Sequence, residues 1–355
     1  MMCFIPHCYI AACARRQQDS ECAWGEGTAK CPIHASSKET VNRTNIGLAC
    51  LLLFVIGQAV RDTWLGHLFG THGVFEIALV GFGTAVSLFT TLTLVVARSQ
   101  LMLLAQHYRL VIGVNLTTAA AWLCYFGALS RVEPTAANLM FSGIAPVSVS
   151  VLATLGLRAS DPVPIGRSER ILHVCMGACL ALLCWTIASG HSSLGGLSPA
   201  RGILGLSLAA ASGIAITAES VLAKQMNERG ISALAIVGVR FTLVALIALS
   251  VTIGRQNSLT PLSAQDIATL SGICVVVLIL PIYLAQLGLQ LTAPLTYGVV
   301  LSFGPAAVLA LQGNHGDNLP SGWMLFVVAA YAACSLLSVL LRAARTQKYA
   351  VTAVG

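Results

Sequence analysis

Glu219 and Arg240 are ionisable residues set inside long apolar runs, and their placement is the sharpest chemical signal in the chain. A charge at the centre of a bilayer costs about 2.5–3.5 kcal/mol even on the gentlest scale, so such a residue needs a partner or a task. Arg240 lies about nine residues into its run and Glu219 about six from the end of the preceding one, roughly 14 and 9 Å deep by helical rise. The two runs are consecutive and antiparallel, which brings a Glu219–Arg240 contact within reach of the arginine side chain. Three readings compete: a structural ion pair, a site where Glu219 takes a coupling proton or a cationic solute, and snorkelling of Arg240 to the interface. The pair is favoured, because pairing is the usual fate of buried charge. Asp62 sits at about the same repeat position as Glu219 and shares a helix face with Gln58. Its neighbour Arg61 and solvation at a helix end both offer to neutralise it, so a functional role is the minority reading. Glu76, Glu133 and Asp266 read as solvated boundary residues.

Uncharged polar residues add a second signal. Asn115, Thr118, Trp122 and Tyr125 follow steps of three, four and three, which places them on one face of a helix. Tyr283, Gln286 and Gln290 do the same farther on. Tyr125 and Tyr283 hold matching points of the two halves of the chain, as do Asn138 and Tyr297. Lipid offers no hydrogen bonds, so such groups belong in an internal cavity, where Trp122, Tyr125, Asn138, Tyr283, Gln286 and Tyr297 are expected to converge near the midplane. Rings would supply apolar area and cation–π faces, and amides and hydroxyls would orient an amphipathic solute. The competing reading makes the rings an interfacial belt and the amides interhelical bonds.

The elements that must position these residues are membrane helices. The 355 residues are 56% hydrophobic and only 9% charged, with mean hydropathy +0.82; a soluble domain carries about 25% charged residues. Ten stretches are long and apolar enough to span, near 45–65, 73–97, 109–130, 134–157, 171–190, 200–225, 231–254, 267–290, 293–312 and 321–342. They are continuous runs, unlike the alternating segments of a barrel, so the fold class is an all-α integral membrane protein. Of twenty Lys and Arg residues, fifteen fall on one side when the N-terminus is placed inside, and only Arg61, Arg131, Arg201 and Arg255 fall outside. The positive-inside rule then puts both termini in the cytoplasm, in a multi-pass protein of the cytoplasmic membrane. It also explains the net charge of +7 without nucleic acid.

Gly127 to Leu157 returns in altered form from Gln286 onward, about 158 positions later. Each copy sets a turn with Pro134 or Pro294 between apolar helices and a second proline, Pro146 or Pro305, within the later one. The sequence therefore divides into a cytoplasmic tail at 1–44, five-helix repeats at 45–190 and 200–343, and a second tail at 344–355. Five is odd, so the second repeat enters the membrane upside down. Gly205, Ala209, Gly213 and Thr217 form a stripe of small residues suited to close helix packing. The tail carries Cys3, Cys8, Cys13, Cys22 and Cys31 with His7 and His34, but no paired C-x-x-C, and no metal or other cofactor is expected. Cys50, Cys124, Cys175, Cys179, Cys184, Cys274 and Cys334 read as small packing residues within spans.

Ala128-Leu129 with Pro134, Ala136-Ala137 and Pro146, the partner Gly288-Leu289 with Pro294 and Pro305, and Val239-Arg240-Phe241 together resemble EamA-type permeases of the drug/metabolite transporter superfamily. The resemblance covers about residues 45–343. One departure is that Gly81-Phe82-Gly83 stands where the second half has Val239-Arg240-Phe241. The resemblance implies a secondary transporter exporting a small metabolite, amino acid or drug-like solute by alternating access, with a proton as the expected coupling ion. Expected partners are the solute, membrane lipid and that proton, with a homodimer as one arrangement. Rival classes are a non-transporting scaffold or regulator and a membrane-embedded enzyme; no H-E-x-x-H, G-x-S-x-G, acidic metal cluster or G-x-x-x-x-G-K-[ST] loop supports catalysis. Reporter fusions at Ser193 and Asn257 should give an external signal. A cytoplasmic signal from either breaks the inverted-repeat topology.

Overall fold

A computed structural model describes residues 37–68, 73–145, 148, 152, 166–189, 198–254, 263–292, 297, 300–301, 303–314 and 322–352. The chain divides into two compact units, Met1–Val41 and Asn42–Gly355, and the second holds every contact discussed below. The cysteine-bearing segment 1–36 lies outside the described residues, as do Pro146 and Pro294. The helices, in order, are α1 (Ser37–Leu68), α2 (Val74–Val96), α3 (Ser99–Gln106), α4 (Tyr108–Leu129), α5 (Pro134–Gly143), α6 (Arg167–Ala188) and α7 (Pro199–Glu228). There follow α8 (Ala233–Arg240), α9 (Thr242–Gly254), α10 (Ala264–Cys274), a π-helical turn Val275–Ile279, α11 (Leu280–Leu291), α12 (Gly304–Asn314) and α13 (Gly322–Thr352). No strand occurs among the described residues.

Among the described residues, seven helical stretches are long and apolar enough to cross a membrane: Asn45–Leu65, Val74–Val96, Tyr108–Leu129, Arg167–Ala188, Pro199–Glu228, Ala233–Gly254 and Ala264–Leu291. The segment Gly322–Ser338 is apolar but shorter. Of the ten expected spans, those at 134–157 and 293–312 fall partly outside the described residues, which hold α5 and α12 there. Large apolar side chains also cover much of the outer surface, among them Ile56, Val174, Trp185 and Val276. Water would not tolerate that surface, whereas lipid requires it. The molecule is a multi-pass helical membrane protein.

Local chemistry sets the helix ends. Ser198 caps α7 by accepting from the Arg201 N–H, with Pro199 in the first turn, where its missing N–H costs nothing. The turn from α7 to α8 contains Gly230 at φ +80°, a left-handed conformation that favours glycine. Ser232 then caps α8. Glu76 and Asp266, expected to be merely solvated, accept backbone N–H groups at the starts of α2 and α10. Glu133 departs further from that expectation: it is buried. Proline explains the π-helical turn. Pro281 has no N–H to give the carbonyl four residues earlier, and its ring crowds that carbonyl, so the backbone widens at Val275–Ile279.

The small-residue stripe of α7 lets neighbouring helices come close. Ser212 donates to the Ala121 carbonyl of α4 at 2.7 Å. A Cβ on Gly205 would sit 2.7 Å from Val132 Cγ1, and one on Gly213 would strike the Phe141 carbonyl and Ile144. Aromatic rings fill the space beside these backbones: Phe82 stacks on Phe241 at 4.9 Å and meets Trp122 edge-on at 5.1 Å. Three features were not expected from the sequence: helix α3 between two spans, the break at Phe241 between α8 and α9, and the run of α13 beyond Arg342. Cys175 is exposed on the bundle surface and does not act as a packing residue. Gly213→Ala should lower stability in detergent by about 1–3 kcal/mol, the usual cost of overpacking. Gly177→Ala, where an added Cβ meets nothing within 4 Å, should be neutral or slightly stabilising in the same thermal unfolding assay.

Candidate functional site

Near the end of α1, but more than a turn before it, Arg61 and Asp62 enter the bundle, where they are 3% and 0% exposed. Asp62 Oδ1 accepts from Arg61 Nε at 2.7 Å and Nη2 at 2.6 Å. Its Oδ2 accepts from the Tyr125 hydroxyl at 2.6 Å and Asn138 Nδ2 at 2.7 Å. Four donors from three helices therefore saturate the carboxylate. The Arg61 guanidinium lies 4.9 Å from the Trp122 ring centre and 5.6 Å from that of Tyr125, so its charge is held by an anion and two aromatic faces.

A second network joins α7, α8 and α11. Arg240 Nη1 donates to Glu219 Oε1 at 2.6 Å and to Gln286 Oε1 at 3.1 Å. The guanidinium also lies 4.7 Å from the Phe241 ring centre. Tyr297 feels the charges of Glu219 and Arg240 and hydrogen-bonds with Ser220. The Glu219 carboxylate accepts from Arg240 Nη1, whereas that of Asp62 accepts from four donor atoms. Arg240 Nε and Gln286 Nε2 make no hydrogen bond within the protein.

Two internal rulers give the separation of the networks along the helices. Contacts of Gly127 with Leu208 and Ser212 with Ala121 place Tyr125 level with about Ala209 of α7, some ten residues or ~15 Å from Glu219. Contacts of Gly57 with Pro281 and Gly288 with Leu51 place Gln286 level with about Leu53 of α1, some nine residues or ~14 Å from Asp62. A bilayer core is about 30 Å thick, so the networks stand on either side of its middle when the bundle spans it.

The residues singled out in the sequence thus form two groups. Trp122, Tyr125 and Asn138 surround Asp62, and Gln286 and Tyr297 meet Arg240 and Glu219, so the six aromatic and amide residues do not all meet at one point. Tyr283 lies apart, tilted against Phe89 at 5.2 Å. Asn115 holds two helices together: its Nδ2 donates to Val111, and its Oδ1 accepts the Leu243 N–H at 3.1 Å, serving the first turn of α9 after the break at Phe241. Gln290 is exposed. Arg61 and Asp62 are the site residues that sequence reasoning undervalued. Their signal was an adjacent basic–acidic pair at the repeat position of Glu219, discounted because the span ends soon after. Among the described residues no group of three or more His, Cys, Asp or Glu could hold a metal ion.

Five of the nine buried side-chain polar atoms lacking a protein partner, among the described residues, belong to these networks or the α4 stripe: Thr118 Oγ1, Trp122 Nε1, Asn138 Oδ1, Arg240 Nε and Gln286 Nε2. Such atoms cost about 1–3 kcal/mol each when desolvated, so their concentration marks polar capacity that packing alone does not use.

No protein-family model matches the chain. No curated protein matches it in sequence. The fold is similar to that of a solved crystal structure, described only as that of a protein, with a TM-score of 0.59 at 16% identity over 85% of this chain and 97% of the other. That likeness is one of fold. Removing one partner from either buried pair should destabilise more than removing both, by about 3–5 kcal/mol for the lone charge. Arg240→Gln with Glu219→Gln, and Arg61→Gln with Asp62→Asn, would each be compared with their single variants by folded yield in detergent. Additive losses would mean that the partners do not depend on one another.

Proposed function

We propose that this chain is a secondary transporter that exports a small metabolite, amino acid or drug-like solute across the cytoplasmic membrane by alternating access, as in EamA-type permeases of the drug/metabolite transporter superfamily. The observation that carries the reading is the presence of two neutralised charge networks about 15 Å apart, with unpartnered polar atoms gathered around them. A static bundle has no need for such atoms. A path for a polar solute does, because each group along it must be able to bond the solute in passing.

The proposal includes two inverted five-helix repeats. Asp62 with Tyr125 and Asn138, and Glu219 with Gln286 and Tyr297, then use corresponding helices of the two halves, one set toward each membrane face. Position 82 holds Phe where the other half has Arg240, and Arg61 provides the missing guanidinium from the acid's own helix. Each network closes the bundle when formed and admits solute when parted. Proton coupling is assigned to Glu219, whose partners leave it fewer donors than Asp62 has. With both termini cytoplasmic, the Asp62 network faces outward.

Purified protein in proteoliposomes, supplied with a panel of amino acids, amines and other metabolites, tests this directly. At least one solute should cross faster than in empty vesicles, and Tyr125→Phe should alter that rate in protein that still folds and inserts, since one hydroxyl is lost and the ring remains. Tyr283→Phe should slow transport as well if its hydroxyl meets the solute. No flux for any solute from folded, inserted protein would favour the scaffold.

A further inference from the structure

Helix α3 places a basic mouth at the end of the bundle where α7 terminates. A cavity of about 390 Å³ opens there, lined by Gln106, His107, Tyr108, Arg109, Leu110 and Arg229. Among the described lining residues are two guanidinium groups and no carboxylate. Arg109 Nε donates to the Tyr108 hydroxyl at 3.2 Å, and Arg229 Nη1 donates to the Gln225 carbonyl at 3.2 Å. A guanidinium has five donors, so one such bond leaves each able to grip a phosphate. The nearest acid in sequence, Glu228, already has an interaction of its own.

The wall beside this mouth is apolar. Tyr108, Ile112 and Leu116 follow steps of four along α4 and are 55%, 53% and 56% exposed. Met102 on α3 is 69% exposed, while Leu104 of the same short helix is buried. Basic head-group ligands with an exposed hydrocarbon stripe running away from them match an amphiphile with a negative head. A free anion would use only the mouth.

We infer that Arg109 and Arg229 hold the phosphate of an anionic phospholipid whose acyl chain lies along Tyr108, Ile112 and Leu116. The assignment rests on the multi-pass membrane architecture and not on transport, so it survives a failed transport assay. The same face gathers most of the basic residues, and the cytoplasmic leaflet is the anionic one.

Native mass spectrometry of protein from nanodiscs containing phosphatidylcholine and phosphatidylglycerol reads the preference. Two arginines near a surface, each adding about fivefold, give wild type a ~25-fold preference for retaining phosphatidylglycerol. Arg109→Gln with Arg229→Gln should reduce this to a few fold, Arg229→Lys should keep most of it, and Arg201→Gln near the opposite end of α7 should change nothing. Folding of the double variant is verified in phosphatidylcholine alone, and the Lys variant keeps the test valid if it fails there. Equal retention of both lipids by wild type, or an undiminished preference in the double variant, overturns the inference. So does inorganic phosphate stabilising the detergent-solubilised protein as much as phosphatidylglycerol does, which would make this a soluble-anion site.

Discussion

Charge neutralisation inside an apolar bundle is the constraint on which the rest of the structure depends. Four ionisable side chains, Arg61, Asp62, Glu219 and Arg240, are each 5% exposed or less. None can stay charged there alone, and each partner comes with a fixed helix. Asp62 needs α4 and α5 to deliver Tyr125 and Asn138, and Arg240 needs α7 and α11 to deliver Glu219 and Gln286. The networks therefore act as registers, because a helix that slides by one turn, about 5.4 Å, strands a charge in hydrocarbon.

That precision requires backbones to approach closely, which is where the small residues enter. Gly213 meets the α5 carbonyls, Gly57 meets Pro281, and Gly238 lies against the Phe89 and Thr90 backbone. The two networks solve the same problem differently. In one, the cation is next to the acid in sequence and rests on Trp122; in the other, it arrives from a separate helix and rests on Phe241. The Asp62 carboxylate is saturated by its four donor atoms. Each network also leaves two buried polar atoms without a protein partner: Trp122 Nε1 and Asn138 Oδ1 beside Asp62, and Arg240 Nε and Gln286 Nε2 in the other.

Much of this was legible in the sequence for simple reasons. Long apolar runs must be helices in lipid, and consecutive antiparallel helices bring Glu219 and Arg240 within reach. Helical steps of three and four place Trp122 and Tyr125 on one face. What was not legible depends on tertiary packing. The burial of Asp62 comes from α4 and α5 folding over the end of α1, and spacing along α1 carries no trace of that. Asn115 shared a face with Trp122, yet its amide serves the break between α8 and α9 that nothing in the α4 sequence announces. Helix α3 is only eight residues long and its pattern is too short to separate from a loop.

The central claim is that the two networks are gates that open in turn, and side-specific thiol labelling tests it most directly. In a background free of the native cysteines, Ser142→Cys, one turn from Asn138, and Ser220→Cys, beside Glu219, would each report the opening of one network to a membrane-impermeant reagent. The account predicts that each position is labelled from its own face alone, and that Arg240→Gln raises labelling at 220 while lowering it at 142. Labelling of both positions that rises together, or that ignores the Arg240 change, would contradict it.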